Sequence, residues 1–506
     1  MLRRKLTVVF LLYAIFLPGI VFGQQTTNTN TTTAPTTGAN ATAPATTVKI
    51  YSAPKETIDR IREEGTKNSQ VMQTLSYLTD VIGGRLTNSP NMKRANEWTR
   101  DQMAKWGMQN ARLEAWGPFG RGWSLKSFNA QVVAPQGFPV IAYPKAWTTS
   151  TKGAVTSDVV LFDARTEADL DRFKGKLNGK IVLVSAIREV KAEEKSLFAR
   201  HSDEDLKKMA DETSPNPQRR PQQPQPQLTE EQRQKLREEQ QRQFLFGLKR
   251  WQFLQQEGAA VAVDNSREGS GGTLFVQGAT VSVDVPTNLE SFNLRTMFQP
   301  YRKENEAKII PQVTMATEDY NRLVRMINLG VTPRMTVDIQ AQYHDEDLMG
   351  YNTIAEIPGT DPALKDEVVM LGGHLDSWHS STGATDNAAG VAVAMEAARI
   401  LLASGLKPRR TIRVALWSGE EQGLHGSREY VKQHFGERKE PAGAGLGGLF
   451  GRPQQPQQPP PPVEIIKGAN YEKLSAYYNL DNGTGKIRGV YLQGNAAAKP
   501  IFEAWL

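Results

Sequence analysis

Strand-like and helix-like runs alternate in the last third of the chain, and this alternation constrains the fold more than any other feature. KDEVVMLGGH, TIRVALWSG and LSAYYNLDN have the length and the apolar or aromatic character of strands, and NAAGVAVAMEAARILLASG has the length and final glycine of a helix. Such an order favours a mainly parallel sheet sandwiched by helices. We therefore expect an α/β domain over residues 344–506.

Acidic and imidazole side chains come at the ends of these runs. They are His374, Asp386, Glu420, Glu421 and Asp481. In an open α/β sheet, ligands bind outside the carboxyl ends of the strands, so these groups should meet at one edge. The chain has no cysteine, and a metal would have to be held by imidazole and carboxylate groups, which suit zinc or a related divalent ion. The pattern predicts a metal site at this edge.

Each residue taken alone has a simpler interpretation. A histidine in GGH could be a hydrogen-bonded core residue, and a pair of glutamates is usually a solvated turn. The joint pattern favours the metal site, because four segments supply polar groups in this order and nearby glycines permit close approach of the backbone. Those glycines are Gly372, Gly373, Gly383, Gly390 and Gly419.

The motifs GGHLDSW, TDNAAGVAVAMEAAR, LWSGEEQGLHGSREY and NLDNGTG resemble those of the co-catalytic zinc exopeptidases, a family that includes aminopeptidase S, aminopeptidase Y and plasma glutamate carboxypeptidase. The likeness runs from about Lys55 to the end and is strongest over 366–435. It implies two Zn²⁺ ions and peptide substrates. By this resemblance His374 and Asp481 bind one ion, Asp386 bridges both, and Glu421 binds the other.

The resemblance also assigns two residues that do not bind metal. Glu420 would be the general base that activates the water, and Asp376 would orient the imidazole of His374. A loop cap is the alternative for Asp376. A last feature departs from the family, which closes its second metal site with a histidine downstream of the position of Asp481, whereas none of the six histidines here follows Asp481.

From this departure we expect the chain to be a fragment that stops before the last strands and helices. The alternative is a natural end with a degenerate site. His379 and His425 could substitute for the missing ligand, although neither stands at the family's closing position, and both are better interpreted as loop residues.

Upstream, the segment 129–343 has the texture of a separate β-rich module, with the runs AQVV, DVVLF, GKIVLVSA, GAAVAV and PQVTMA. It resembles the protease-associated domain found in many members of the family. A charged Pro/Gln-rich insertion is expected at about 190–250, and a second at about 441–462. Residues 55–128 should be a helical part of the peptidase domain, including a helix that starts at Ser89 and stops at Gly107.

The first 23 residues have the basic, apolar and small-residue regions of a cleaved secretory signal, and 24–54 form a stalk that is too polar to fold. An uncleaved membrane anchor is the alternative, although the apolar run is short for a membrane span. We therefore expect a secreted or periplasmic protein without a stable membrane span. Cleavage would reduce the net charge from +7 to +4, which does not suggest a nucleic-acid partner.

These observations favour an exported two-zinc aminopeptidase. A glutamate-type carboxypeptidase or dipeptidase of the same family is a close alternative, and a non-catalytic binding protein on the same scaffold is a further one. Glutaminyl cyclisation at a single zinc is disfavoured because such relatives do not use the two-metal set. The sequence predicts neither residue specificity nor oligomeric state.

Overall fold

A computed structural model describes residues 50–192, 194–196, 198–211, 229–286, 298–439, 464–481 and 485–505. The predicted signal peptide, most of the stalk and the 441–462 insertion lie outside these residues, as does part of the first insertion. The described residues belong to two compact units. The larger contains those within 69–191 and 230–481, and the smaller contains those within 50–68, 192–229 and 485–505.

The helices are α1 Lys55–Lys67, α2 Val71–Ser76, α3 Pro90–Lys105, α4 Glu167–Leu170, α5 Asp203–Asp211, α6 Glu230–Gln256, α7 Thr317–Asn328, α8 Ala389–Ala403, α9 His425–His434 and α10 Lys499–Trp505. The strands are β1 Gln109–Trp116, β2 Gly122–Ala134, β3 Phe138–Pro139, β4 Ala142–Pro144, β5 Val155–Leu161, β6 Ile181–Leu183, β7 Val261–Asn265, β8 Gln312–Met315, β9 Arg334–His344, β10 Gly350–Ile357, β11 Val368–His374, β12 Thr411–Trp417, β13 Gly436–Arg438, β14 Ile465–Lys467 and β15 Leu474–Asn479. In the described part of the chain, no helix is both long and apolar enough to cross a membrane.

The first sheet has the strand order β1-β10-β12-β11-β15. Strands β12, β11 and β15 are parallel neighbours, whereas β1 and β10 are antiparallel to each other, and β10 is antiparallel to β12. The predicted α/β class is confirmed, and the sheet is mixed rather than mainly parallel. The antiparallel half arises because β1, from far upstream, pairs on the outer side of β10.

Helices α3 and α8 pack on this sheet, as their apolar positions require. Ser89 caps α3, because its side-chain oxygen accepts a hydrogen bond from the N–H of Met92 at 3.1 Å, and Pro90 occupies the first turn. The start predicted for this helix is therefore confirmed. The shared core contains Met92, Met103, Ala355, Val391, Met395, Val414 and Leu416. Burial of these side chains anchors the start of α8 beside the carboxyl ends of the parallel strands.

A second sheet has the order β3-β2-β9-β5-β6-β7-β8-β4. All five of the β-type runs expected here contain a strand, and β5 to β8 pair in parallel. The strands of this sheet come from residues 122–344, close to the predicted module boundaries of 129 and 343, which stay predictions. The predicted helical segment 55–128 also contains β1 and the start of β2.

Candidate metal centre

The candidate site lies where the parallel strands of the first sheet end. His374 is the last residue of β11 and pairs with Trp417, the last residue of β12. Strand β15 ends beside Gly372, two residues before Asp481. Since parallel strands end on the same side, the chain segments that follow them meet at one edge, as the sequence predicted.

Close backbone contacts bring these segments together. A Cβ atom on Gly372 would lie 1.8 Å from the carbonyl oxygen of Ala415, and one on Gly390 would lie 2.2 Å from the carbonyl oxygen of Leu480. Any larger residue would push β11 away from β12, or α8 away from the segment that carries Asp481. These two glycines therefore allow the helix start and the strand end to approach each other.

Three predicted residues form a cluster. Nε2 of His374 lies 3.0 Å from Oδ1 of Asp386 and 3.0 Å from Oδ1 of Asp481. The three potential ligand atoms all lie within 4.8 Å of one another. His374 is buried, whereas the two aspartates are exposed, so the cluster has a protein side and a solvent side. One imidazole and two carboxylates around one point could hold a divalent metal ion.

The other nitrogen of His374 lies against Asp376. Nδ1 lies 3.0 Å from the main-chain carbonyl oxygen of Asp376 and 3.6 Å from its carboxylate. An N–H at Nδ1 that donates to this carbonyl leaves Nε2 directed at the cluster. Residue 376 therefore lies at Nδ1 with both its carbonyl oxygen and, further away, its carboxylate.

The carboxylate of Asp376 instead holds the turn after β12. It accepts hydrogen bonds from the backbone N–H groups of Glu420 and Glu421, each at 3.2 Å, and from the hydroxyl of Thr87 at 3.1 Å. Asp376 is fully buried. Its carboxylate therefore caps the turn after β12 in addition to lying near the imidazole of His374.

Glu420 and Glu421 are partly buried beside the cluster, and their carboxyl groups hold protons more tightly than usual. Burial raises the pKa of Glu420 to about 7, and the nearby carboxylates add to this against the opposing effect of His374. Burial together with Asp376 and Asp386 raises the pKa of Glu421 to about 9. The site thus contains more carboxylate groups than its own cationic side chains neutralise.

The charge on His374 agrees with this surplus. Burial alone would lower the pKa of its imidazole, but contacts with three aspartates raise the pKa well above its ordinary value. Contact with His374 in turn lowers the pKa of Asp386. A divalent cation would neutralise the same carboxylates that His374 and bound protons neutralise here, so these residues fit a metal ion.

Neither of the two possible substitute histidines joins the cluster. Nε2 of His379 lies 2.8 Å from the carbonyl oxygen of Pro144, and its ring packs edge-on against Trp123. His425 begins α9 and stacks on Trp116. Their separate positions support the prediction that neither is a ligand.

Sequence reasoning missed two residues that contact the site. Thr87 donates to Asp376, and the guanidinium of Arg85 is buried against the loop that follows His374. Both belong to the segment GGRLT, which stands between two helices. The signal that could have revealed them is an arginine among glycines and apolar residues, in a place where a solvated charge would not be expected.

An imidazole and carboxylates at the carboxyl edge of an α/β sheet, beside partly buried glutamates, have the composition of a metal-dependent hydrolase site. Comparison with known proteins adds that residues 352–499 match the family model of Peptidase family M28. The match makes this part of the chain similar to the M28 metallopeptidases.

Similar proteins include carboxypeptidase Q of Xenopus laevis, 37% identical over 148 residues, which are 29% of this chain and 30% of that protein. An aminopeptidase of Pseudomonas aeruginosa is 40% identical over 155 residues, covering 31% of this chain and 24% of that protein. Leupeptin-inactivating enzyme 1 of Streptomyces exfoliatus is 45% identical over 82 residues, covering 16% and 18%. The matched part of this chain thus spans less than a third of the length of each of these relatives.

Among solved structures, a Peptidase M28 precursor from Shewanella amazonensis is similar with a TM-score of 0.45 and 22% identity, over 75% of this chain and 70% of that chain. A zinc aminopeptidase from Bacillus subtilis has a TM-score of 0.38 and 17% identity, over 72% and 64%. The likeness to M28 peptidases therefore rests on the sequence matches.

Proposed function

We propose that this protein is an exported two-zinc exopeptidase that releases N-terminal residues from peptides. The observation that carries the proposal is the contact of His374 with both Asp386 and Asp481 beside the partly buried Glu420, inside the segment that matches the M28 family. Export depends on the predicted signal at residues 1–23.

In this proposal the four ligands have different roles. His374 and Asp481 would hold one zinc ion, Glu421 the other, and Asp386 would bridge the two. The short distances from His374 to both aspartates support the assignment of these residues to one ion. The raised pKa of the partly buried Glu421 supports the assignment of a second cation beside it. When bound, the ions would polarise the peptide carbonyl and acidify a water molecule.

Glu420 would move the proton. Its carboxylate takes a proton from the attacking water, whose oxygen adds to the peptide carbonyl carbon; the C–N bond then breaks, and Glu420 gives the proton to the leaving amine. A pKa raised to about 7 suits a group that must both accept and donate near neutral pH. Asp376 fixes the backbone of the turn and thereby the place from which Glu420 acts.

Replacing Glu420 by Gln tests this role. We expect E420Q to bind zinc as the wild type does and to lose about 100-fold or more of its hydrolytic rate, since general-base catalysis contributes about that much. Glu429 on α9 allows a matched control, because E429Q makes the same change outside the site. Wild-type turnover by E420Q would refute the proposed base. If the wild type does not hydrolyse peptides either, a non-catalytic binding role is favoured.

A carboxypeptidase or dipeptidase is the second candidate, and the similarity to carboxypeptidase Q supports it. Peptides blocked at either end separate the two activities. We expect hydrolysis of carboxy-blocked peptides and none of amino-blocked peptides. Activity that survives only on the amino-blocked set would replace the aminopeptidase assignment with the carboxypeptidase one.

A further inference from the structure

Arg85 is a buried cation beside the candidate centre that the proposed chemistry does not use. The side chain of Arg85 is fully buried, with 0% of the residue exposed. All five hydrogen bonds of its guanidinium in the described structure go to main-chain carbonyl oxygens. They are those of Leu78 at 3.3 Å, Gly83 at 3.0 Å, Leu375 at 2.6 Å, Thr382 at 2.8 Å and Gly383 at 2.9 Å.

Three of these carbonyls belong to the loop that joins two proposed ligands. Leu375 follows His374 directly, and Thr382 and Gly383 come shortly before Asp386. One rigid guanidinium therefore binds both ends of the loop at once. Because the side chain is planar and presents its donors in a fixed geometry, it restricts the distance between the loop ends.

The backbone around Arg85 adds further contacts to the same loop. The N–H of Arg85 donates to the hydroxyl oxygen of Ser377 at 3.0 Å, and the N–H of Ser377 donates to the carbonyl of Arg85 at 3.1 Å. On the preceding residue, a Cβ atom at Gly84 would lie 3.0 Å from the carbonyl oxygens of His379 and Ser381. The segment and the loop therefore lie against each other with no room for a side chain at residue 84.

The charge of Arg85 is compatible with this place. Burial lowers the pKa of its guanidinium to about 10, and Asp376, Asp386 and Glu421 oppose that shift. The group therefore stays positive at neutral pH. A fixed cation beside these acids stabilises the folded site before any metal binds. Because its donors bind five carbonyl oxygens, the carboxylates remain available as metal ligands.

We propose that Arg85 is a positioning residue that holds His374 and Asp386 in metal-binding geometry by tying together the two ends of the 375–383 loop. This inference depends on the proposed function only in that it takes these two residues to bind a metal. Arg85 itself does not touch the metal or the substrate. Its loss therefore acts through the ligands, on metal affinity and coordination.

The test is a titration of the metal-free protein with Zn²⁺ against a competing chelator, together with the visible absorption spectrum of the Co²⁺ form. R85K keeps the positive charge and removes the planar fork. We expect zinc affinity to fall by about 10-fold to 100-fold, the range found when groups that orient metal ligands are removed, and the Co²⁺ bands to shift. S377A removes the hydrogen bond between the N–H of Arg85 and the loop, and it should cause a smaller loss of zinc affinity.

R399K is the matched control. Arg399 is 5% exposed and is bound to Glu396 within α8 of the same unit, so the same substitution there disturbs a buried arginine away from the 375–383 loop. We expect wild-type zinc affinity and an unchanged Co²⁺ spectrum for R399K, whatever its melting temperature.

Wild-type affinity and spectrum in a folded R85K would overturn the proposal, and so would an equal loss in R399K. If R85K does not fold, S377A decides, and an unchanged zinc affinity for S377A would overturn the proposal. Failure of the proposed function would look different, because wild-type protein would then bind zinc in an Arg85-dependent way without hydrolysing peptides.

Discussion

The larger unit contains two places where neighbouring parallel strands end, and only one of them has the composition of a metal site. At the edge of the first sheet, His374 meets two aspartates, and two partly buried glutamates have raised pKa values. At the edge of the second sheet, after β6 and β7, hydroxyl, amide and charged side chains bind to main-chain groups, and Arg188 donates to the carbonyl of Ser266. The hydroxyl of Tyr320 donates to the carbonyl of Ser185 at 2.6 Å and accepts from its N–H at 2.8 Å.

Asparagines complete the second edge in the same manner. Asn265 donates to the carbonyl of Ala186 at 3.3 Å, and Asn321 donates to the carbonyl of Arg188 at 2.6 Å. A cavity of about 700 Å³ adjoins this edge, lined in part by Arg188 and Asn321. The comparison teaches that the end of a parallel sheet offers a place for a functional site. A reactive site there also requires an excess of charged groups, such as the carboxylates beside His374, that the protein itself does not neutralise. Cavity size does not identify the metal site, since the cavity of about 700 Å³ lies at the second edge.

The largest expected effect comes from removing the imidazole. H374A should lower zinc affinity by more than about 100-fold, because a direct ligand contributes more than the groups that orient it, whose loss costs about 10-fold to 100-fold. N265A makes an alanine substitution at the other edge and should leave zinc affinity unchanged. Zinc titration of both variants checks this, and equal losses would remove the proposed difference between the two edges.

A second prediction concerns the buried carboxylate of Asp376. D376N replaces an acceptor of three hydrogen bonds by an amide with one oxygen, so we expect destabilisation by about 3 kcal/mol, the upper range for hydrogen bonds to charged groups. Hydrolysis should fall further than the loss of folded protein explains. Urea unfolding and activity assays measure the two effects.

Asp264 provides the control for D376N in the second sheet. It accepts a hydrogen bond from Thr314 at 2.9 Å and pairs with Lys145 at 2.6 Å. D264N should therefore also destabilise the protein but leave the activity of the folded fraction unchanged. If D264N and D376N reduce that activity equally, Asp376 has no special role in the turn that carries Glu420.

A third prediction uses His379, which links the 375–383 loop to Pro144 of β4. Burial lowers the pKa of His379 to about 4 from the ordinary 6.5, so the folded protein keeps it neutral where the unfolded chain takes up a proton. Stability must then fall as pH drops below about 6.5, by about 2 kcal/mol between pH 7 and pH 5. The groups that face this ring are Tyr143, Trp123 and Trp378.

H379N should flatten the pH dependence by about that amount, whereas H201N, at an exposed position in the smaller unit, should not. Urea unfolding of the wild type and both variants at pH 7 and pH 5 provides the comparison. The same acid sensitivity in H379N as in the wild type would show that another group carries the proton uptake.

The smallest expected effect is at Tyr320. Y320F removes the hydroxyl that bonds to both backbone groups of Ser185 and should destabilise the protein by about 1 kcal/mol, with no change in zinc affinity. Thermal unfolding and zinc titration measure the two quantities. A lower zinc affinity in Y320F would mean that the two edges are coupled.

Much of the site could be predicted because its signals are local. Strand β11 and helix α8 are defined by short runs with the appropriate apolar pattern. His374 ends the strand and Asp386 precedes the helix, and the edge rule then brings the two together. The antiparallel half of the sheet could not be predicted, since β1 pairs with β10 across more than 230 residues of sequence.

Arg85 and Thr87 were missed for the same reason. Their partners lie nearly 300 residues away, and those of Arg85 are main-chain carbonyls, which every residue possesses and no sequence pattern marks. The carbonyl of Asp376 that meets His374 is equally invisible in the sequence. Side-chain chemistry could be predicted from residue types, whereas contacts made through the backbone required the fold.

The most direct test of the metal centre is a crystal of the protein soaked in zinc, with data collected on both sides of the zinc absorption edge. We expect an anomalous peak about 2 Å from Nε2 of His374 and within coordinating distance of Asp386 and Asp481, and a second peak beside Glu421. Peaks at the edge of the second sheet, or at other histidines with none at His374, would contradict the account.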